Sequence, residues 1–366
     1  MVNRSREDFL LSRVYAALVG LWIGDGMGMP VEMMTPEQIK ETVGRVTGFI
    51  TPVQRHIGGT AFLPAGHWTD DWQLARAILR SLVESGGYNI NDIVGQHLLA
   101  LKESTIGWGK ATKNELLNIQ RFFETGGTEG RNPATSPQLI AGQGTGNGVA
   151  MKIAALALYQ VLKQGGFYRL PLVTQVKEVG LLTHADPRAS VAAFAVAAVI
   201  GMVMEKPFEL FWPAKKFQQQ RFLRRLIALT EWAEQDGGLK SVNYTDQFFS
   251  EALGYLASNN GLLLEGSEYL RKIGTNCFAL NSVPFAIGVF LRHPTDFRAG
   301  VLEAINAGGD TDTTAAMVGA MIGANVGLEG IPLEWRHFLM EHYSDDYGEL
   351  LSLGSALFMQ ATGKVE

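Results

Sequence analysis

SVAAFAVAAVIGMVM, residues 190–204, and TAAMVGAMIGA, residues 314–324, decide the fold of this chain. Both lack charged residues and are rich in alanine, glycine and methionine, so neither offers the polar face of a surface helix. Helices that are apolar all round belong at the centre of a helical bundle. Around them, Met151, Ala155, Leu158, Tyr159 and Leu162 recur at spacings of three and four before Gly165 and Gly166. Leu74, Ile78 and Leu82 do the same before Gly86 and Gly87. Gln218 to Gln235 sets Arg221, Arg224, Arg225, Glu231 and Glu234 beside Phe222, Leu226, Leu229 and Trp232, the pattern of an amphipathic outer helix. Alternating strand patterns are few. No Pro/Ser linker, low-complexity tract or repeat divides the chain, so the expected architecture is all-α, a single compact domain over residues 1–366. The least helical stretch is ETGGTEGRNPATSPQLIAGQGTG, Glu124 to Gly146, and a loop of that length is functional or disordered.

Composition agrees with a well-filled core. Charged residues are 18% of the 366, against about 25% in an average domain, and the 42 glycines are roughly 11% against about 7%. Much of the chain should be buried, with backbones in close approach. Lys and Arg number 31 against 36 Asp and Glu, a net charge of -5 without any basic run, which argues against a nucleic-acid partner. Cys277 is the single cysteine, so an intrachain disulfide and a cysteine-based zinc site are excluded, and a reducing cytoplasm is the expected location. Arg4 and Arg6 before the apolar run Val14 to Ile23 imitate a signal peptide. Glu7, Asp8 and Arg13 interrupt that approach, however, and no small-residue cleavage site follows. The longest apolar run, Val191 to Met204, falls short of the ~20 residues that span a bilayer, so no membrane partner is expected.

Two segments place carboxylates where helices begin. Thr69-Asp70-Asp71 has the makings of an N-cap followed by acidic residues in a first turn. Asn306-Ala-Gly-Gly-Asp310-Thr311-Asp312-Thr313 enters a second apolar helix in the same way, with Asp310 and Asp312 spaced so that both side chains can aim at one point. Capping alone explains each segment. If the two helix starts converge, four carboxylates lie together and need cations. An Asp and Thr oxygen set suits hard ions, Mg²⁺ or Mn²⁺, and four carboxylates suit two of them.

Gly142-Gln-Gly144-Thr145-Gly146-Asn147-Gly148 runs toward a helix expected from about Val149, and free N–H groups at such a start suit a phosphate. It is neither a Walker loop nor a GxGxxG fingerprint. Gly24-Asp25-Gly26-Met27-Gly28 follows the first apolar helix. Gly26 and Gly28 are expected to end that helix in a turn, with Glu32 in the loop beyond. Thr183-His184-Ala-Asp186-Pro187 places a histidine just before the most apolar helix, where a hydrogen-bonded structural role competes with a catalytic one. No HExxH, GxSxG or Cys/His pairing points to a zinc protease, serine hydrolase or cysteine protease.

Taken in order, GDGMGMPVE at Gly24 to Glu32, WTDD at Trp68 to Asp71, GTGNGVAMK at Gly144 to Lys152, THADP at Thr183 to Pro187 and NAGGDTDTTAA at Asn306 to Ala316 resemble the ADP-ribosylglycohydrolase family, the relatives of dinitrogenase-reductase-activating glycohydrolase. The resemblance covers nearly the whole chain. It implies an orthogonal all-α domain with two Mg²⁺ or Mn²⁺ ions in a central cleft, held by Thr69, Asp70, Asp71, Asp310, Asp312 and Thr313. It implies further that Gly144, Thr145, Gly146, Asn147 and Gly148 hold the diphosphate of ADP-ribose with His184 nearby. Glu32 would sit on a mobile loop over the distal ribose, with Gly24, Gly26 and Gly28 letting that loop open and close. Glu32, Asp70 and Asp71 would then orient substrate or move protons during hydrolysis of an ADP-ribosylated protein or small conjugate. Two positions depart from the pattern: Trp72, often Thr in the family, and Thr145, aromatic in some members. Two other functions fit the same residues, a metal-dependent nucleosidase acting on a smaller riboside and a catalytically silent relative that binds ADP-ribose or is structural. The first would not need the glycine loop, and the second would be expected to lose ligands that are all present here.

Overall fold

The computed structural model describes residues 6–53, 62–133, 139–140, 142–208, 215–239, 248–257 and 273–364. Fifteen α-helices lie among them: α1 (Arg6–Gly28), α2 (Pro36–Val43), α3 (Asp70–Glu84), α4 (Ile90–Glu103), α5 (Lys110–Glu124), α6 (Ala154–Gln164), α7 (Arg169–Gly180), α8 (Pro187–Glu205), α9 (Lys215–Gln235), α10 (Phe249–Ala257), α11 (Ala279–Arg292), α12 (Phe297–Asn306), α13 (Thr311–Val326), α14 (Leu333–His342) and α15 (Ser344–Thr362). The described residues form no sheet; their β pairing is an isolated bridge between Gly146 and Phe278. The all-α expectation holds. Of the stretch from 124 to 146, residues 134–138 and 141 lie outside the described set, and beyond the end of α5 the rest is turn and irregular chain.

α8 and α13, the two stretches quoted first, are buried almost end to end. The axis of the fold is the antiparallel pair of α1 and α13. A Cβ on Gly28 would overlap the Thr311 carbonyl oxygen, one on Gly24 that of Ala315, one on Gly20 that of Gly319, and one on Gly323 that of Ala16. Small residues every fourth position along both helices thus let the two backbones touch, and the contact is closed to any larger side chain. This overturns the expectation that Gly26 and Gly28 form a turn: α1 runs unbroken through Gly24, Asp25 and Gly26 to Gly28. Close packing, not backbone freedom, is what those glycines serve: Gly24 and Gly28 pack against α13, and Gly26 against the backbone of Gly66. Gly319→Ala is accordingly expected to destabilise the protein by roughly 1–3 kcal/mol, the usual cost of overpacking. Gly95→Ala is the control, because a Cβ at that position in α4 meets open space. Urea unfolding of both variants measures the difference.

Arg13 explains why an otherwise apolar helix carries a charge. It is fully buried and donates to the carbonyls of Ala324 at 2.6 Å, Met204 at 3.2 Å and Val203. One guanidinium therefore closes the C-terminal ends of both α13 and α8, where carbonyls lack helical partners and a cation is favoured. Burial pulls its pKa down to about 10, which leaves it charged at neutral pH. By length and composition, Arg6–Val31 and Pro187–Glu205 could each cross a bilayer, but 94% of each apolar window is buried inside the protein. Both are core helices.

Candidate metal centre

The α1/α13 contact delivers the C-terminal end of α1 to the N-terminal end of α13, and α3 begins beside both. Asp25, fully buried near the end of α1, accepts from the Thr69 backbone N–H at 2.9 and 3.0 Å, the Thr69 hydroxyl at 2.8 Å and the Trp72 N–H at 3.0 Å. Thr69 occupies the N-cap position of α3 but makes no side-chain cap. Asp25 takes that role from across the fold. The Thr69 hydroxyl, freed from capping, also lies 3.3 Å from Asp71 Oδ2, and the Thr313 hydroxyl reaches the same oxygen at 3.4 Å. Thr69, Asp70, Asp71, Asp310, Asp312 and Thr313 are all buried at this meeting point.

Two sets of carboxylates lie close enough to share a cation. Ligand oxygens of Asp25, Asp71 and Asp312 fall within 4.8 Å of one another, as do those of Glu32, Asp310 and Asp312. Asp312 belongs to both. Asp71 Oδ1 and Glu32 Oε2 are buried without a hydrogen-bond partner, and such orphans in a buried acidic cluster fit cation ligands. Burial, reinforced by the neighbouring carboxylates, drives the pKa values of Asp70, Asp71 and Asp312 well above the carboxylate range. Burial raises Asp25 to about 7 despite its hydrogen bonds, and burial with the charges of Asp310, Asp70 and Asp25 raises Glu32 to about 9. A cluster so reluctant to ionise is one that cations would neutralise, and its all-oxygen donors match Mg²⁺ or Mn²⁺ chemistry.

Glu32 closes the short 3₁₀ turn Met29–Val31 that follows α1. Met33 N–H donates to the Gly309 carbonyl at 2.6 Å and Gly309 N–H to the Met34 carbonyl at 2.8 Å, which ties this segment to the loop before α13. The glycine hinge expected at 24, 26 and 28 is absent, since those residues are helical. Asp25 is the site residue that motif reading passed over. Its signal was available: a carboxylate flanked by glycines within an apolar helix must be buried, and buried carboxylates are paired or bind cations.

The glycine loop sits against the same site. Asn147 donates through Nδ2 to Asp310 Oδ2 at 2.7 Å and to Ser282 Oγ at 3.0 Å, while its N–H donates to the Cys277 carbonyl at 3.0 Å. The Ala279 N–H donates to the Thr145 carbonyl at 3.0 Å, so the loop is zipped to residues 277–279. Gly144, Gly146 and Gly148 curl around the imidazole of His184. A Cβ would meet that residue at 3.0 Å from Gly144, 3.4 Å from Gly146 and 2.8 Å from Gly148. The helix expected from Val149 starts later, at Ala154. Met151 N–H bonds back to the Asn147 carbonyl in a single helical turn that residues 148–152 do not propagate.

Behind the loop, Lys152 is wholly buried, and burial lowers its pKa to about 7 while Asp70 pushes it back up. His184 is also buried, and burial together with the Lys152 charge brings it to about 3 against the pull of Asp186. Trp72, the departure beside the aspartate pair, is fully buried and stacked on Trp22 with ring centroids 5.9 Å apart, which removes it from any substrate pocket.

Comparison with known proteins bears on the family and the fold. A family model described as ADP-ribosylglycohydrolase matches residues 6–365. Human ADP-ribosylhydrolase ARH3 is 27% identical over 363 residues, covering 89% of this chain and 88% of that protein. The ADP-ribosyl-[dinitrogen reductase] glycohydrolase of Rhodospirillum rubrum is 24% identical over 326 residues, with 88% of each chain covered. A solved structure titled as an ADP-ribosylglycohydrolase-related protein complex shares the fold with a TM-score of 0.64 at 24% identity, covering 97% of this chain and 99% of that one. With the motif order, the helical architecture and the family match extending over the same residues, this chain belongs to the ADP-ribosylglycohydrolase family.

Proposed function

We propose that this protein hydrolyses the glycosidic bond at the distal ribose of an ADP-ribosyl group, releasing ADP-ribose from a modified protein or a small conjugate, with the aid of two divalent cations, Mg²⁺ or Mn²⁺. One observation carries the reading: two overlapping carboxylate sets share Asp312, which is the donor arrangement a pair of neighbouring hard cations requires. Thr69, Asp70, Asp71, Asp310, Asp312 and Thr313 are the proposed ligands, joined by Asp25. Names given to two relatives, both of which speak of ADP-ribosyl chemistry, support the substrate class.

Bound cations would supply charge to fix the ribose hydroxyls and to make a nearby water acidic. The chain's own residues do the rest. The carboxylates around the reacting carbon stabilise the oxocarbenium-like state of a departing ribosyl group. Glu32, beside Asp310 and Asp312 with one oxygen unpartnered, is placed to hold the ribose or accept a proton. Gly144, Thr145, Gly146, Asn147 and Gly148 form the proposed diphosphate subsite, in which the Asn147 N–H is already donated to the Cys277 carbonyl, and the direct bond from Asn147 to Asp310 couples that subsite to the carboxylates. A nucleosidase would have no use for this coupling, and a silent relative would have no need for a complete ligand set.

The test is a panel of ADP-ribosylated proteins and small conjugates assayed for released ADP-ribose with Mg²⁺, Mn²⁺ or chelator. Release that depends on added cation is expected. Full activity after chelation, or cleavage of simple ribosides alone, would overturn the reading.

A further inference from the structure

We propose that Met33 is a specificity-determining residue: its side chain forms an apolar wall against the group attached to the distal ribose, so that leaving groups with an apolar body are hydrolysed in preference to small polar ones. The inference rests on the proposed function, because it assigns a feature of the substrate to that same site.

The backbone at this residue is held in a conformation that a side chain disfavours. Met33 has a φ of 62°, the one positive value outside glycine among the described residues. In that left-handed region Cβ crowds a carbonyl oxygen, a strain that glycine escapes. Three bonds hold the chain there. Met33 N–H donates to the Gly309 carbonyl at 2.6 Å, Gly309 N–H to the Met34 carbonyl at 2.8 Å, and Met34 N–H to the Val31 carbonyl at 3.1 Å. The reversal lets the residues on either side both turn inward: Glu32 buries Oε2 beside the carboxylates, and Met34 is packed in the core. Met33 is left facing outward, 52% exposed.

A single exposed apolar side chain is ordinary on a protein surface. This one is kept where glycine would suit the backbone better, directly after the residue proposed to act on the ribose. Strain retained beside a reactive site points to a task for the side chain. The run of the ligand assigns that task. The glycine loop enters the cluster through the bond from Asn147 to Asp310 at 2.7 Å, whereas Met33 is joined to the preceding residue, Gly309. With the diphosphate on the glycine loop and the ribose on the carboxylates, the anomeric substituent extends past Glu32, and Met33 is the exposed apolar side chain next to it. An unbranched thioether adapts to aliphatic and aromatic surfaces alike, so it favours a leaving group with such a body without demanding one shape.

The experiment uses conjugates that differ only in the body of the leaving group: ADP-ribose joined at the distal anomeric carbon to methanol or benzyl alcohol, and to N-methylguanidine or N-benzylguanidine. Within each pair the atom bonded to the ribose is the same, so intrinsic reactivity is closely matched. We compare kcat/KM for wild type, Met33→Gly, Met33→Ala and Met33→Leu with Mg²⁺ or Mn²⁺, in whichever pair the wild type hydrolyses. Met33→Gly and Met33→Ala should lose roughly tenfold on the benzyl member, the lower range for removing one apolar contact with a substrate, and nothing measurable on the methyl member. Met33→Leu, which keeps an apolar side chain, should stay near wild type. Free ADP-ribose should bind all of them alike by calorimetry. Circular dichroism should show Met33→Gly folded, since glycine adopts this backbone conformation freely. Equal losses on both members would assign Met33 to holding Glu32 in place and overturn the proposal, and so would no loss on either. A wild type that hydrolyses none of the four conjugates would instead overturn the functional reading, and the assignment of Met33 with it.

Discussion

Asp312→Ala is expected to lower release of ADP-ribose by at least about 10³-fold, the upper range for losing one preorganised electrostatic contact. The effect should exceed that of Asp310→Ala or Asp71→Ala, because Asp312 is common to both carboxylate sets and each of the others belongs to one. Divalent-cation affinity should fall with it, as read by calorimetry. The fold should persist, and the metal-free variant should melt at a higher temperature than metal-free wild type, since a buried carboxylate has been taken from a crowd of its own charge. A variant that turns over at the wild-type rate would refute a shared ligand at this position.

The same crowding gives the metal-free protein a characteristic pH dependence. A carboxyl whose pKa is higher in the folded state binds more protons there than in the unfolded chain, so its contribution to stability is complete at low pH and is lost as pH rises through the folded pKa. Asp25 at about 7 and Glu32 at about 9 spread that loss from about pH 4, where the unfolded carboxyls ionise, up to about pH 9. Lys152, His184 and His97, with lowered values, act in the opposite sense. Asp25, Glu32, Asp70, Asp71 and Asp312 outnumber those three bases, so the melting temperature in chelator should fall across this window. Excess Mg²⁺ or Mn²⁺ should flatten the curve by binding the folded state.

Glu32→Gln is expected to slow hydrolysis by roughly 10²-fold or more, the scale of a positioned acid–base group, while ADP-ribose binding is retained. The substitution preserves shape and removes the ability to hold a charge or take a proton. It acts at a residue whose backbone is anchored: the 3₁₀ turn and the two bonds that Met33 and Met34 make with Gly309 fix the segment against the loop before α13. Hydrolysis of an established substrate at the wild-type rate would reduce Glu32 to a structural residue. Equal slowing by Glu32→Ala and Glu32→Gln would assign the loss to the carboxylate itself rather than to packing.

The residues of α8 and α13 determined the fold class without help from the structure, because a helix apolar on every side has no stable place except a helical core. The five motifs, read in order, were enough to indicate the family and to pick out Thr69, Asp70, Asp71, Asp310, Asp312 and Thr313 as candidates. Their meeting is tertiary. It depends on the register of α1 against α13, where Gly20, Gly24 and Gly28 meet Gly319, Ala315 and Thr311. A four-residue spacing of small side chains is visible in either helix, but nothing within one helix names its partner. For the same reason Gly26 and Gly28 read as a turn when Gly28, with Gly24, is part of a helix contact and Gly26 packs on Gly66, and Asp25 was passed over although it caps α3 from across the fold. Thr69 read as its own helix's cap, because local hydrogen bonding is all that spacing can express. The contacts of Thr183 with Lys152 and His184 likewise join two motifs whose residues are about thirty positions apart. Periodicity reports which faces must be buried, whereas the packing of one backbone on another decides which buried charges meet.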